Sequence, residues 1–221
     1  KYLIEGISES CRYNEVSILG GETAEMPNVY KDNSYDIVGT IVGICDRKNL
    51  IDGKNNIKEG DIIFGIRSSG PHTNGYSLIR KIIEQNKEKY REKLCLEELL
   101  SPHRSYLKEI NYMKELDVCI NGLCHITGGG YEGNLKRVLP DDLSAELGVL
   151  ICEPFSSLMR LGNIPEQEMY DIFNCGYGML VIVDEKEYDK LLYIHDFHYL
   201  GKVKERNYNK QIVMKNCIIN K

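Results

Sequence analysis

The stretch from Asp61 to Ile83 constrains the fold more than any other. Asp61-Ile62-Ile63-Phe64-Gly65-Ile66 contains a continuous apolar run, the pattern of a strand buried on both faces. The polar run Ser68-Ser69-Gly70-Pro71-His72-Thr73-Asn74-Gly75 follows, and then Leu78, Ile79, Ile82 and Ile83 recur at helical spacing. Strand, loop and helix in that order belong to an α/β architecture. The order also sets a glycine-containing loop against a helix N-terminus. Free N–H groups and the positive end of the helix dipole suit such a place to a phosphate or carboxylate.

The alternation continues to the end of the chain. A helix from Pro102 carries Tyr106, Leu107, Ile110 and Met113 as its stripe. A strand near 117–120 and the apolar piece Leu123–Ile126 lead to three glycines and a helix ending before Pro140. A strand near 144–151, helices near 155–162 and 166–173, a strand at 178–183, a helix at 186–194 and strands at 198–204 and 211–215 complete the pattern. Ahead of this series, residues 3–13 read as a helix, and Val16–Leu19 and Tyr35–Asp46 as strands. Turn signals at Asp52-Gly53 and Glu59-Gly60 place a boundary near residues 47–53. The expected organisation is therefore a short α/β part over residues 1–50 and a complete α/β domain with a mixed sheet over 51–221.

Composition excludes several classes of function. A net charge of −5, without a basic stripe, argues against nucleic acid as a bulk partner. No run approaches the roughly 18 apolar residues of a membrane span, and the opening Lys1-Tyr2-Leu3-Ile4 lacks the form of a signal peptide. The 8 cysteines lie scattered in apolar runs such as Val42-Gly43-Ile44-Cys45, which points to buried thiols in a reducing, cytoplasmic compartment. There is no C-x-x-C pair. Cys119, Cys124 and the adjacent His125 form only a weak metal motif.

Four loops carry chemistry. In the first, Gly70 and Gly75 allow close backbone approach, and Ser68, Ser69, His72, Thr73 and Asn74 are more polar groups than a helix cap needs. Thr73 or Asn74 suits the cap, and His72 can donate to an anion or move a proton. In the second, His125-Ile126-Thr127-Gly128-Gly129-Gly130, three glycines suit a phosphate-cradling nest as well as a bare turn. In the third, Gly20-Gly21-Glu22-Thr23-Ala24-Glu25, the acids are hard oxygen donors for Mg²⁺ or ordinary first-turn acids of a helix. In the fourth, Phe173-Asn174-Cys175-Gly176-Tyr177-Gly178-Met179, the glycines mark a bulge, and Cys175 lacks any assignable base.

In their order, the strings at 20–27, 68–78, 125–130 and 173–179 resemble those of the phosphoribosylformylglycinamidine cyclo-ligases, also called aminoimidazole ribonucleotide synthetases. The resemblance runs over essentially the whole chain, including Tyr35-Asp36 and Ile51-Asp52-Gly53. It implies an N-terminal α/β domain that binds ATP and forms a homodimer through its sheet, followed by a C-terminal α/β domain, with the active site in the cleft between them. Residues 1–50 would be the end of the first domain. The family's earlier Lys- and Gly-rich nucleotide loop and Asp-Gly-Val-Gly-Thr-Lys motif have no counterpart here.

By the same resemblance, ATP and Mg²⁺ drive ring closure of formylglycinamidine ribonucleotide. Ser68, Ser69, Gly70, Thr73, Gly75, Thr127, Gly128, Gly129, Gly130 and Asn174 would hold that substrate. His72 and Asn74 would act in catalysis, with His72 the leading proton-transfer group. Gly20, Gly21, Glu22 and Thr23 would contact ATP, with Glu22 on the metal. The competing readings are the sister enzyme formylglycinamidine ribonucleotide synthetase, which needs an ammonia source, and a silent ribonucleotide-binding module.

Overall fold

A computed structural model describes residues 1–31, 33–207 and 210–215 of the chain. The chain divides into two compact units, Lys1–Leu50 and Ile51–Lys221. The first holds the helix Tyr2–Tyr13 and the short 3₁₀ turn Arg47–Asn49, and none of its described residues is buried. The two runs expected as strands, Val16–Leu19 and Tyr35–Asp46, form none among the described residues. Their apolar side chains lack a paired neighbour within this unit, and an extended segment becomes a strand only through such pairing.

The second unit is built on one six-stranded sheet. Its strands are β1 (Ile62–Arg67), β2 (Ile120–His125), β3 (Leu143–Leu147), β4 (Tyr177–Val183), β5 (Phe197–Glu205) and β6 (Ile212–Met214). Their order across the sheet is β2-β4-β1-β5-β3-β6. All neighbours are antiparallel except β3 and β6, so the sheet is mixed, as expected. The pieces at 117–120 and 123–126 merge into the single strand β2, and the last helix shortens to Tyr188–Leu192 behind a 3₁₀ turn. Of the cysteines expected in the core, Cys124 and Cys175 are buried, but Cys45, Cys95 and Cys119 are exposed, Cys45 because its apolar run has no pairing strand within its unit; Cys217 lies outside the described residues.

Both faces of the sheet are covered, and the two-residue period of β1 shows how. Ile62, Phe64 and Ile66 pack on one side with Met113 and Leu191, from the helices Leu107–Glu115 and Tyr188–Leu192. Ile63 points to the other side, where Ile79, Leu135, Phe155, Leu158 and Met169 come from four further helices. Full burial of a side chain such as Ile63 is worth about 1.5–3 kcal/mol. Among the described residues, no helix is long and apolar enough to cross a membrane.

The sheet order also determines where the loops go. Since β4 is antiparallel to both β1 and β2, those two strands run parallel to each other with β4 between them. Their C-terminal ends, Arg67 and His125, therefore emerge at the same sheet edge, facing Tyr177 and Met179 at the start of β4. Three of the four motif loops leave or enter the sheet at that edge.

Candidate functional site

The loop after β1 turns through left-handed backbone at His72 (φ 51°), Thr73 (φ 64°) and Gly75 (φ 76°). Glycine at 75 answers to space as well as to φ, since a Cβ there would lie 2.2 Å from Phe173 Cε1. Thr73 Oγ1 and Asn74 Nδ2 both donate to the His72 carbonyl, at 2.5 and 2.8 Å. They thus stabilise the turn and do not cap the helix Tyr76–Gln85. Its N-cap is Gly75, with no side-chain cap. Left bare of a capping oxygen, the helix start keeps its attraction for an anion.

The glycine loop after β2 comes to the same place. Gly129 is the N-cap of the helix Gly130–Leu135, in left-handed backbone at φ 92°. Asn134, buried, donates from Nδ2 to the carbonyls of Thr127 (3.2 Å) and Gly130 (2.7 Å), and accepts from Thr127 Oγ1 at 3.1 Å. This fixes a loop that would otherwise cost much backbone entropy to order. A Cβ on Gly128 would lie only 3.4 Å from Asn74 Oδ1. The two loops are therefore in contact, and the exposed Gly128 and Gly129 lie beside the Asn74 amide.

The loop before β4 braces the first. Asn174 is buried, and its Nδ2 donates to the Gly70 carbonyl at 2.8 Å. Its Oδ1 accepts from Ser68 Oγ (3.0 Å) and the Gly176 amide (2.9 Å), while Tyr131 Oη donates to its carbonyl at 2.6 Å. With these groups engaged, Asn174 positions the loop at 68–70, whatever that loop holds. Burial raises the Cys175 thiol far above its ordinary range, so the residue serves as packing and not as a nucleophile. The Cys124 thiol, likewise buried, is pushed up to about 12.

His72 is 1% exposed. Its Nε2 accepts from the Ser69 amide at 3.1 Å and lies 3.1 Å from Ser69 Oγ, whose hydroxyl donates to the Pro102 carbonyl at 2.7 Å. Its Nδ1 is buried without a partner. Burial, reinforced by His103, His125 and Arg104, lowers the imidazole to about 3, so it is neutral at ordinary pH. Two more imidazoles stand beside it. The His103 ring stacks on His72 at 4.1 Å between centroids, and His103 Nε2 is 3.0 Å from His125 Nε2. Burial lowers the pKa of both. Arg104 anchors this edge by donating to the Arg67 carbonyl at 3.0 Å and pairing with Asp196 at 2.9 Å and with Glu109.

His103, Asn134 and Arg104 are the site residues that sequence patterns did not single out. Their role depends on contacts across segments far apart in the chain, which no local motif records. Gly20, Gly21, Glu22 and Thr23 belong to the first unit, exposed and without helix or strand. Cβ atoms on Gly20 and Gly21 would meet nothing within 4 Å.

Residues 58–212 match the family described as AIR synthase related protein, C-terminal domain. Curated relatives named phosphoribosylformylglycinamidine cyclo-ligase include the protein of Nitrosococcus oceani, 45% identical over 86% of this chain and 54% of its own length. Those of Finegoldia magna and Prochlorococcus marinus are each 42% identical, over 87% and 95% of this chain and 58% and 64% of their own. The chain thus spans somewhat over half the length of these relatives. Among solved structures, thiamine-monophosphate kinase from Stenotrophomonas maltophilia covers 74% of this chain and 52% of its own, at 13% identity and a TM-score of 0.48, a likeness too distant to inform function.

Proposed function

Because the chain belongs to the AIR synthase related family, whose C-terminal domain it carries over residues 58–212, we propose that it forms the substrate side of a cyclo-ligase. The reaction is the ATP-dependent closure of formylglycinamidine ribonucleotide to aminoimidazole ribonucleotide. One observation supports it most: two strand-to-helix loops, both with uncapped helix starts, meet at Asn74 and Gly128 on one sheet edge. That junction offers the donors a ribonucleotide phosphate needs. Ser68, Ser69, Gly70, Thr73 and Gly75 on one side, and Thr127 to Gly130 on the other, would frame the substrate. Asn174 would hold the first loop in position.

ATP supplies the phosphoryl group that makes the formyl oxygen a good leaving group, and the amidine-side nitrogen closes the ring as phosphate departs. Such chemistry depends mainly on positioning and charge stabilisation. Asn74, at the loop junction, would orient the reacting end. His72, kept neutral by its burial, would move a proton as a neutral imidazole and not as a fixed cation. On the first unit, Glu22 offers a carboxylate oxygen of the hard type that Mg²⁺ prefers, and the unobstructed Gly20 and Gly21 backbone suits close approach of a phosphate. Residues 1–50 would then be the end of the ATP-binding, dimerising domain of a cytoplasmic homodimer.

The test is catalytic. The full-length protein, given formylglycinamidine ribonucleotide, ATP and Mg²⁺, is expected to form aminoimidazole ribonucleotide and release ADP and phosphate in equal amounts. Asn74→Ala should lower kcat/KM by roughly 10- to 100-fold, about 1.4–2.7 kcal/mol of transition-state stabilisation. Failure of the unmodified protein to cyclise the substrate would overturn the assignment.

A further inference from the structure

His72, His103 and His125 come from three separate segments, and each brings one ring nitrogen to within 4.8 Å of the other two. No carboxylate or thiol belongs to this cluster. A four-coordinate ion with bonds of about 2.0–2.1 Å to imidazole holds its donor atoms about 3.3 Å apart. The His103 and His125 Nε2 atoms are already at 3.0 Å. His72 is held by its loop, and its Nδ1 is buried without a partner. Nε2 accepts from the Ser69 amide, so the neutral ring carries its proton on Nδ1, and an ion bound at Nδ1 moves that proton to Nε2, toward Ser69 Oγ, at the expense of the amide bond. The stack of His103 on His72 must open for both rings to point at one ion, and His103 is the exposed member that can tilt. The nearby Arg104 cation is already matched by Glu109 and Asp196, which lessens its opposition to a further positive charge.

We propose that His72, His103 and His125 form a binding site for a borderline divalent transition-metal ion of the Zn²⁺, Co²⁺ or Ni²⁺ class. Three imidazoles leave the fourth position open to water or to an anion. A donor set without oxygen selects against Mg²⁺, so this site is distinct from any that serves ATP. The inference does not rest on the cyclisation reaction, because it is read by binding alone.

Titration with Co²⁺, followed by the visible absorption of a four-coordinate complex, and with Zn²⁺ by calorimetry, provides the test. Exposed Cys45, Cys95 and Cys119 are alkylated beforehand so that thiols do not compete. One ion per chain is expected, undisturbed by excess Mg²⁺. His103→Ala, a change at an exposed position, should weaken binding at least tenfold, and His103→Gln should do the same through a side chain of similar reach. His195→Ala, whose side chain is 94% exposed, should leave binding unchanged. A one-to-one complex that fails to form, that Mg²⁺ displaces, or that loses less than tenfold in both His103 variants would overturn the proposal.

Discussion

Val38, Ile41, Val42 and Ile44 stand 78–101% exposed, whereas Ile62, Ile63, Phe64 and Ile66 are wholly buried, although both runs read as apolar strands. The difference lies in their partners. β1 has β4 on one side and β5 on the other, with helices over both faces. The run at 35–46 has neither a ladder nor a cover within its own unit, and the same residue types then remain open to solvent. Apolar sequence specifies a readiness to pair, and burial follows only where the pairing surface exists.

The contrast can be broken by substitution. The largest effect is expected at Gly130, where φ is 58° and a Cβ would lie 1.9 Å from the Tyr170 carbonyl oxygen. Gly130→Ala combines left-handed strain with overpacking and should cost about 4 kcal/mol by urea denaturation. Gly39→Ala, where a Cβ meets nothing within 4 Å, should stay within about 0.5 kcal/mol. Next comes Ile63→Ala, expected to cost about 3 kcal/mol through loss of burial and the cavity left behind. Ile44→Ala should again stay within about 0.5 kcal/mol. A cost above about 1 kcal/mol at Ile44 would show that the first unit buries this run in solution, and the contrast would fail.

An effect smaller than that of either buried substitution concerns pH. His72 binds its proton near pH 3 when folded and near 6.5 when unfolded. Between those values the unfolded chain holds more protons, so stability falls as pH falls, and the contribution is complete only above about 6.5. From pH 7 to pH 5 the loss should be about 2 kcal/mol for this group. His72→Asn keeps a residue tolerant of left-handed φ and should flatten the pH dependence of the urea midpoint. An unchanged slope would place the titrating group elsewhere.

Much of the second unit was legible in its sequence. The helices Tyr76–Gln85 and Phe155–Gly162 and the strands β1 and β4 fall where period and turn residues place them, because local pattern and tertiary environment agree there. The glycine loops could be located, but not their braces. The buried amides of Asn134 and Asn174 act on carbonyls brought near by the fold, and a single Asn in a sequence carries no sign of that. His103 was silent for the same reason, since its neighbours His72 and His125 lie 31 and 22 residues away in the chain. The strands expected at 16–19 and 35–46 show the opposite failure, a pattern read correctly as apolar but without the partners that would make it a strand.

The sheet order has a consequence in time as well as in space. β4 separates β1 from β2, yet it is made last of the three, ending at Val183. During synthesis, which proceeds from the N-terminus at about 5–20 residues per second, β1 and β2 wait several seconds for the strand that makes them neighbours. Until then their loops are unrelated pieces of chain, with no shared edge. The contact of Asn74 with Gly128 thus joins two loops whose strands become neighbours only through a third strand that the ribosome supplies after both.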